Sequence, residues 1–296
     1  MEIVLGLTAA VCWGVADFTA RFASRRIGAY RTLMIMQLFG FAALTLHIWR
    51  TGGFAHGLAW GWRAWIFAVF AGLLNAAASL SFYHSLETGM MTVVGPVSSA
   101  YPALTVVLAL LSGERLHGLR GPGIAITFVG VILAAISFTP SSDQQAFATE
   151  SAPQPKPRLS KGVGWAIGAA AGFGFMFWWL GFHVVPLVGG PFSVWVIRLS
   201  TFVVLLLAAA PVKQSLRLPR GSIWWLLAAV GVMDTTAFVA TDVGLGLGHV
   251  SVVSVLASLY GAVTVLLSWI FLRERMGRTQ WLGIALIFVG VVLVSL

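Results

Sequence analysis

Asp17, His84, Arg198, Asp234 and Asp242 are ionisable side chains inside long apolar stretches of this chain. An ionisable group in hydrocarbon costs at least about 2.5 kcal/mol on insertion scales, so each calls for a partner or a purpose. Gln37, Asn75, Ser79, Tyr83, Tyr101 and Tyr260 accompany them. Such a set suits recognition of a polar solute and the carrying of protons. It does not suit bond-making, because HExxH, a P-loop glycine–lysine pattern and aspartates at metal-ligand spacing are all missing from the sequence. Neither a catalytic residue, a cofactor nor a metal is expected.

The polar positions recur. An offset of 159 residues matches Asn75 to Asp234, Tyr83 to Asp242 and Tyr101 to Tyr260. Asn75, Ser79 and Phe82/Tyr83 share one side of a helix, as do Asp234, Phe238 and Thr241/Asp242. One polar-aromatic face from each half is expected to line a shared central cavity. The residues expected to bind substrate are Trp13, Asp17, Asn75, Ser79, Tyr83, Tyr101, Arg198, Asp234, Phe238 and Tyr260. Those expected to couple protons are Asp17, His84, Asp234 and Asp242.

Each has a plainer alternative. Asp234 can be half of a buried structural ion pair with Arg198, and Asp242 can sit at a solvated helix end. Asp17, one turn beyond Trp13, is either part of a cation site with an aromatic wall or a bond to a neighbouring helix. His84 titrates near neutrality when unperturbed, or is simply hydrogen-bonded within the bundle. Cys12 is a packing residue, and as the single cysteine it offers no disulfide.

The elements that must position these groups are apolar helices. Hydrophobic residues make up 59% of the 296-residue chain and charged ones 9%, with a mean hydropathy of +0.93, which excludes a soluble domain. The formal charge of +9 does not point to nucleic acid, because the basic residues come in small groups between apolar runs. Ten runs lie at about 3–23, 30–49, 64–86, 89–112, 121–139, 162–183, 191–211, 222–246, 249–272 and 278–296. Each is near the roughly 20 residues a helix needs to cross a bilayer. Glu2 stands where a signal peptide would carry basic residues, so the first run is expected to remain in the mature protein.

Residues 140–161, rich in Pro, Ser and Gln, read as a flexible linker between units 1–139 and 162–296. Five helices per unit is an odd number, so the second unit enters the membrane inverted. Lys and Arg number thirteen near the odd-numbered connections and four near the even ones, which predicts a cytoplasmic linker and external termini. The lipid bilayer is thus one partner, and the protein is expected to be a monomer or a homodimer.

The repeat is also marked by a hairpin. Glu114-Arg115 is answered 160 residues later by Glu274-Arg275, Gly123 by Gly283, and Phe128-Val129-Gly130-Val131 by Phe288-Val289-Gly290-Val291. These charges either end a helix at fixed membrane depth or act as gates on opposite faces. Small residues at four-residue spacing, Gly6, Ala10 and Gly14 in one half and Gly162, Ala166, Ala170 and Gly174 in the other, predict close helix approach. Pro96 and Pro102 predict a break in the fourth run, whereas the second copy carries Ala262 near the place of Pro102 and is expected to lack that proline break.

With ten runs in two units and the pattern Pro102-Ala103-Leu104-Thr105, Gly113-Glu114-Arg115-Leu116, Gly123 and Gly130-Val131, the chain resembles the drug/metabolite transporter superfamily, in particular its EamA-type members. The resemblance implies an all-α membrane protein of ten transmembrane helices in two inverted five-helix repeats. It also implies a carrier of small organic solutes, such as amino acids, sugars, nucleotide-linked metabolites, cations or drugs, that often exports them. The expected function is secondary transport by alternating access of a small amphiphilic metabolite, amino-acid-like first, exported through a bacterial inner membrane, with protons as a possible co-substrate. An organic cation or drug exporter is the next reading. A membrane enzyme or a receptor-like protein would need a catalytic constellation or a soluble signalling module.

Overall fold

A computed structural model describes residues 1–54, 60–135, 161–273 and 278–295, and the described residues contain helices and no strands. In the first half these are α1 (Glu2–Ile27), α2 (Ala29–Thr51), α3 (Trp62–Thr88), α4 (Met91–Ser98), α5 (Pro102–Leu111) and α6 (Arg120–Ala135). The second half holds α7 (Val163–Trp179), which runs through a π-turn at Leu180–Val184 into α8 (Val185–Val188). It continues with α9 (Gly190–Ala209), α10 (Ile223–Leu245), α11 (Val250–Ala257), α12 (Tyr260–Leu272) and α13 (Arg278–Ser295). Counting α4–α5, α7–α8 and α11–α12 as one span each, eight spans are long and apolar enough to cross a membrane. The shorter α6 and α13, with apolar cores at Gly121–Gly130 and Trp281–Gly290, complete the ten.

Each half lays its first helix on the broken span of the other. In α1, Gly14 abuts Val263 and the Tyr260 carbonyl, and in α7, Gly174 abuts the Tyr101 carbonyl and Leu104. A Cβ at either site would come within 2.4 or 2.6 Å of those neighbours, so the small-residue stripes are crossing points between halves.

The fourth span breaks at Ser99–Tyr101, with Pro102 opening α5. The corresponding span of the second half also breaks, at Ser258–Leu259, although no proline stands there. This corrects the expectation drawn from Ala262. Ser258 Oγ donates to the Val255 carbonyl at 2.7 Å, and Gly261 N–H donates to the Ser258 carbonyl in a tighter three-residue turn. Gly261 lies directly against Ser99, where a Cβ would stand 2.3 Å from its Oγ, so the two breaks cross one another.

The hairpins that mark the repeat end in a second pair of helices, of which α6 also touches α4 of the broken span. Their helices α6 and α13 pack along each other, with Gly290 pressed onto the backbone of Gly123 and Thr127. Glu114 accepts the Ser251 N–H at 3.1 Å, so it caps the start of α11 in the other half. Burial pushes the Glu114 carboxyl above its ordinary value, and the Ser251 N–H offsets part of that rise. Glu274-Arg275 and residues 140–160 of the linker lie outside the described residues.

Candidate functional site

Beside the crossing of the broken spans is a small cavity of about 40 Å³. Nine of the ten expected binding residues line it: Trp13, Asp17, Asn75, Ser79, Tyr83, Tyr101, Asp234, Phe238 and Tyr260. Met36, Phe82, Phe173 and Phe177 complete the wall. The two tyrosines at the breaks tie the halves together. Tyr101 Oη donates to the Ser254 carbonyl at 3.0 Å, and Tyr260 Oη and Ser98 Oγ are 3.1 Å apart. Their rings stack at 6.4 Å with an interplanar angle of 15°.

Aromatic edges make up much of the remaining wall. Trp13 meets Phe177, Phe238 and Tyr260 in T-shaped contacts at 5.6 to 6.1 Å. Such edge contacts hold the indole in one orientation, and its Nε1 donates to Asp234 Oδ1 at 3.0 Å.

Arg198 stands behind the wall, 1% exposed. Its Nη2 lies 2.5 Å from Asp234 Oδ2, its Nη1 donates to Gln37 Oε1 at 2.8 Å, and its guanidinium lies 5.3 Å from the Phe238 ring centroid. The ion-pair alternative for Asp234 is therefore realised, while the carboxylate still borders the cavity. On the first-half side, Asn75 Nδ2 donates to Thr201 Oγ1 at 3.0 Å, and Ser79 Oγ donates to Asn75 Oδ1 at 3.3 Å. Tyr83 Oη donates to Met36 Sδ at 2.6 Å.

Asp17 differs from Asp234. It is 5% exposed and borders the cavity, and no hydrogen bond or ion pair reaches its carboxylate among the described residues. With Arg198 matched to Asp234, an ionised Asp17 gives the cavity a net negative charge.

Two expected proton sites lie elsewhere. Asp242 is fully buried against Ser193 in the first turn of α9, whose hydroxyl donates to its Oδ2. Eight residues separate it from Asp234, which turns it about 80° around α10 and carries it about 12 Å along the axis. His84 lies on the outer side of α3, 3.6 Å from Glu87 and against Trp165 at 5.0 Å. Among the cavity residues outside the expected set, Phe173 and Phe177 were legible as a four-residue aromatic spacing in GFGFMFWW. Met36 carries no sequence signal that separates it from ordinary core.

Comparisons with known proteins agree with this architecture. A curated relative, an uncharacterized protein of Methanocaldococcus jannaschii, is 27% identical over 136 residues, covering 46% of this chain and 96% of its own. One such relative is thus about the size of a single half. A crystal structure titled only as that of a protein superposes with a TM-score of 0.70 at 20% identity, covering 100% of this chain and 98% of its own. The model of the EamA-like transporter family matches twice, at residues 1–136 and 160–296. With ten apolar spans among the described residues, in two inverted repeats around a polar-aromatic cavity, and with both repeats matched, this chain belongs to the EamA-like transporter family.

Proposed function

We propose that this protein is a secondary carrier that moves a small amphiphilic solute bearing an ammonium or other organic cation through the central cavity by alternating access. The observation that supports this most is the contrast between its two carboxylates. Asp234 is neutralised by Arg198 and held by Trp13, whereas Asp17 faces the cavity with no partner among the described residues. An aromatic wall beside an open carboxylate suits a cation with an apolar body.

Amino-acid-like solutes fit through their ammonium group. A substrate carboxylate would have to compete with Asp234 for Arg198, which favours amines and organic cations over zwitterions. Asp17 is also the leading proton-coupling candidate, because a carboxylate can exchange a proton for a cationic substrate. Asp242 and His84 are secondary candidates outside the cavity. Units 1–139 and 162–296, a cytoplasmic linker at 140–161, external termini, a bacterial inner membrane and net export complete the reading.

Counterflow in proteoliposomes tests it, with a labelled aromatic amine, a quaternary cation, an amino acid and a sugar, with and without a pH gradient. The amine and the quaternary cation are expected to exchange fastest, and Asp17→Asn to abolish that preference. If no solute moves faster than in empty vesicles, the carrier reading fails. A pH dependence that survives Asp17→Asn, Asp234→Asn and Asp242→Asn removes the proton sites.

A further inference from the structure

The far side of α3 carries a second polar arrangement that the cavity does not use. A groove of about 570 Å³ runs along this side between α3 and α9, below the start of α2. Its trough is apolar, with Leu73, Ala77, Leu80, Leu205 and Ala208. Its head is polar, with Arg31, His84 and Glu87 beside Trp165. From Leu73 to His84 the helix rises roughly 16 Å. That is close to half of the roughly 30 Å hydrocarbon core, the depth of one leaflet.

At the head, one anion and one cation each keep an open position. Glu87 Oε2 accepts the Ala29 N–H at 3.2 Å, and Oε1 has no hydrogen-bond partner among the described residues. Arg31 donates Nε to the Ile27 carbonyl at 2.6 Å and Nη1 to the Arg217 carbonyl at 3.4 Å, which leaves Nη2 open. A phosphate complements the guanidinium, and a primary ammonium, with three N–H donors, complements the carboxylate. A choline headgroup has no N–H to give Glu87, and a glycerol headgroup has no positive charge to set against it.

We infer that this groove binds one phospholipid with an ethanolamine headgroup, its phosphate on Arg31, its ammonium on Glu87 and one acyl chain in the trough. The complementarity is that of charge and length together. Neither an acyl trough without the head groups nor the charged pair without the trough would select this lipid.

Native mass spectrometry of the full chain in detergent tests it, using phosphatidylethanolamine, its mono-, di- and trimethylated forms, and phosphatidylglycerol. Phosphatidylethanolamine is expected to be retained at least about tenfold more tightly than the trimethylated form or phosphatidylglycerol, with a stepwise fall along the methylated series. Glu87→Gln keeps an oxygen for the Ala29 N–H and is expected to lose the preference for ethanolamine over choline. Arg31→Gln is expected to weaken both alike. Equal retention of the three headgroups by the wild type, or a preference that survives Glu87→Gln, overturns the inference. If Glu87→Gln does not fold, the methylated series on the wild type decides alone. Loss of the preference in Asp17→Asn would place the lipid in the central cavity and also overturn it.

Discussion

The two halves share an order of helices and differ in charge. At equivalent positions 159 residues apart, the first half offers Asn75, which donates to Thr201 at 3.0 Å. The second offers Asp234, held by Arg198 at 2.5 Å and by Trp13 at 3.0 Å. Tyr101 and Tyr260, by contrast, make comparable cross-half bonds at 3.0 and 3.1 Å. The repeat therefore builds the crossing spans and the cavity wall, and substitution at matched positions makes one wall neutral and the other ionic. Asp17 has no equivalent in this scheme, and no partner reaches its carboxylate among the described residues.

The comparison breaks most visibly at Arg198. Arg198→Ala leaves Gln37 buried without its partner and Asp234 with the Trp13 indole alone, and is expected to cost about 3–5 kcal/mol. The measure is a lowered unfolding midpoint in detergent together with lost exchange. If Arg198→Ala is as stable as wild type, the ionic wall is not structural.

Asp17→Asn is expected to do the reverse, leaving the unfolding midpoint almost unchanged. It should weaken the half-saturation of an ammonium-bearing solute by about 2 kcal/mol, some thirtyfold. A large fall in stability would mean that Asp17 bonds a neighbouring helix.

On the neutral wall, Asn75→Ala removes two uncharged hydrogen bonds, to Thr201 and from Ser79, and is expected to cost about 1–2 kcal/mol. A loss equal to that of Arg198→Ala would erase the contrast between the halves.

The smallest effect is expected at the repeat marker Glu114, whose carboxyl is raised by burial. A carboxyl raised on folding favours the folded state while protonated, and that contribution is lost as pH rises through the raised value. Glu114→Gln should therefore unfold slightly later than wild type at pH 7, and the gap should close as the pH falls into the carboxylate range. A gap that widens in acid would mean that the charge on α11 outweighs the burial.

Much of this was legible in the sequence because the signals were periodic or costly. Nine cavity residues could be named from their types and spacing, since a polar group in an apolar run has few places to go. Arg198 was named as a binding residue, yet it stands behind Asp234, a distinction that depends on which helix faces which. Asp242 shares a helix with Asp234 and a matched position with Tyr83. Its side chain nevertheless turns to Ser193, because eight residues do not close on the helical period. The second broken span carried no proline to announce it. Its break comes from a serine bond and a crossing partner that are distant in sequence or invisible in composition.

The sequence by itself determined the membrane class, the inverted repeat, the odd helix count and the list of polar groups that had to be accommodated. Those follow from hydropathy, length and offset, which are properties of the chain read along one dimension. Only the tertiary structure decided that Asp234 is paired while Asp17 has no partner among the described residues, and that His84 and Glu87 belong to an outer groove. Pairing depends on side chains that meet across helices 161 or 221 residues apart. Packing resolves which of several polar groups receives the buried Arg198.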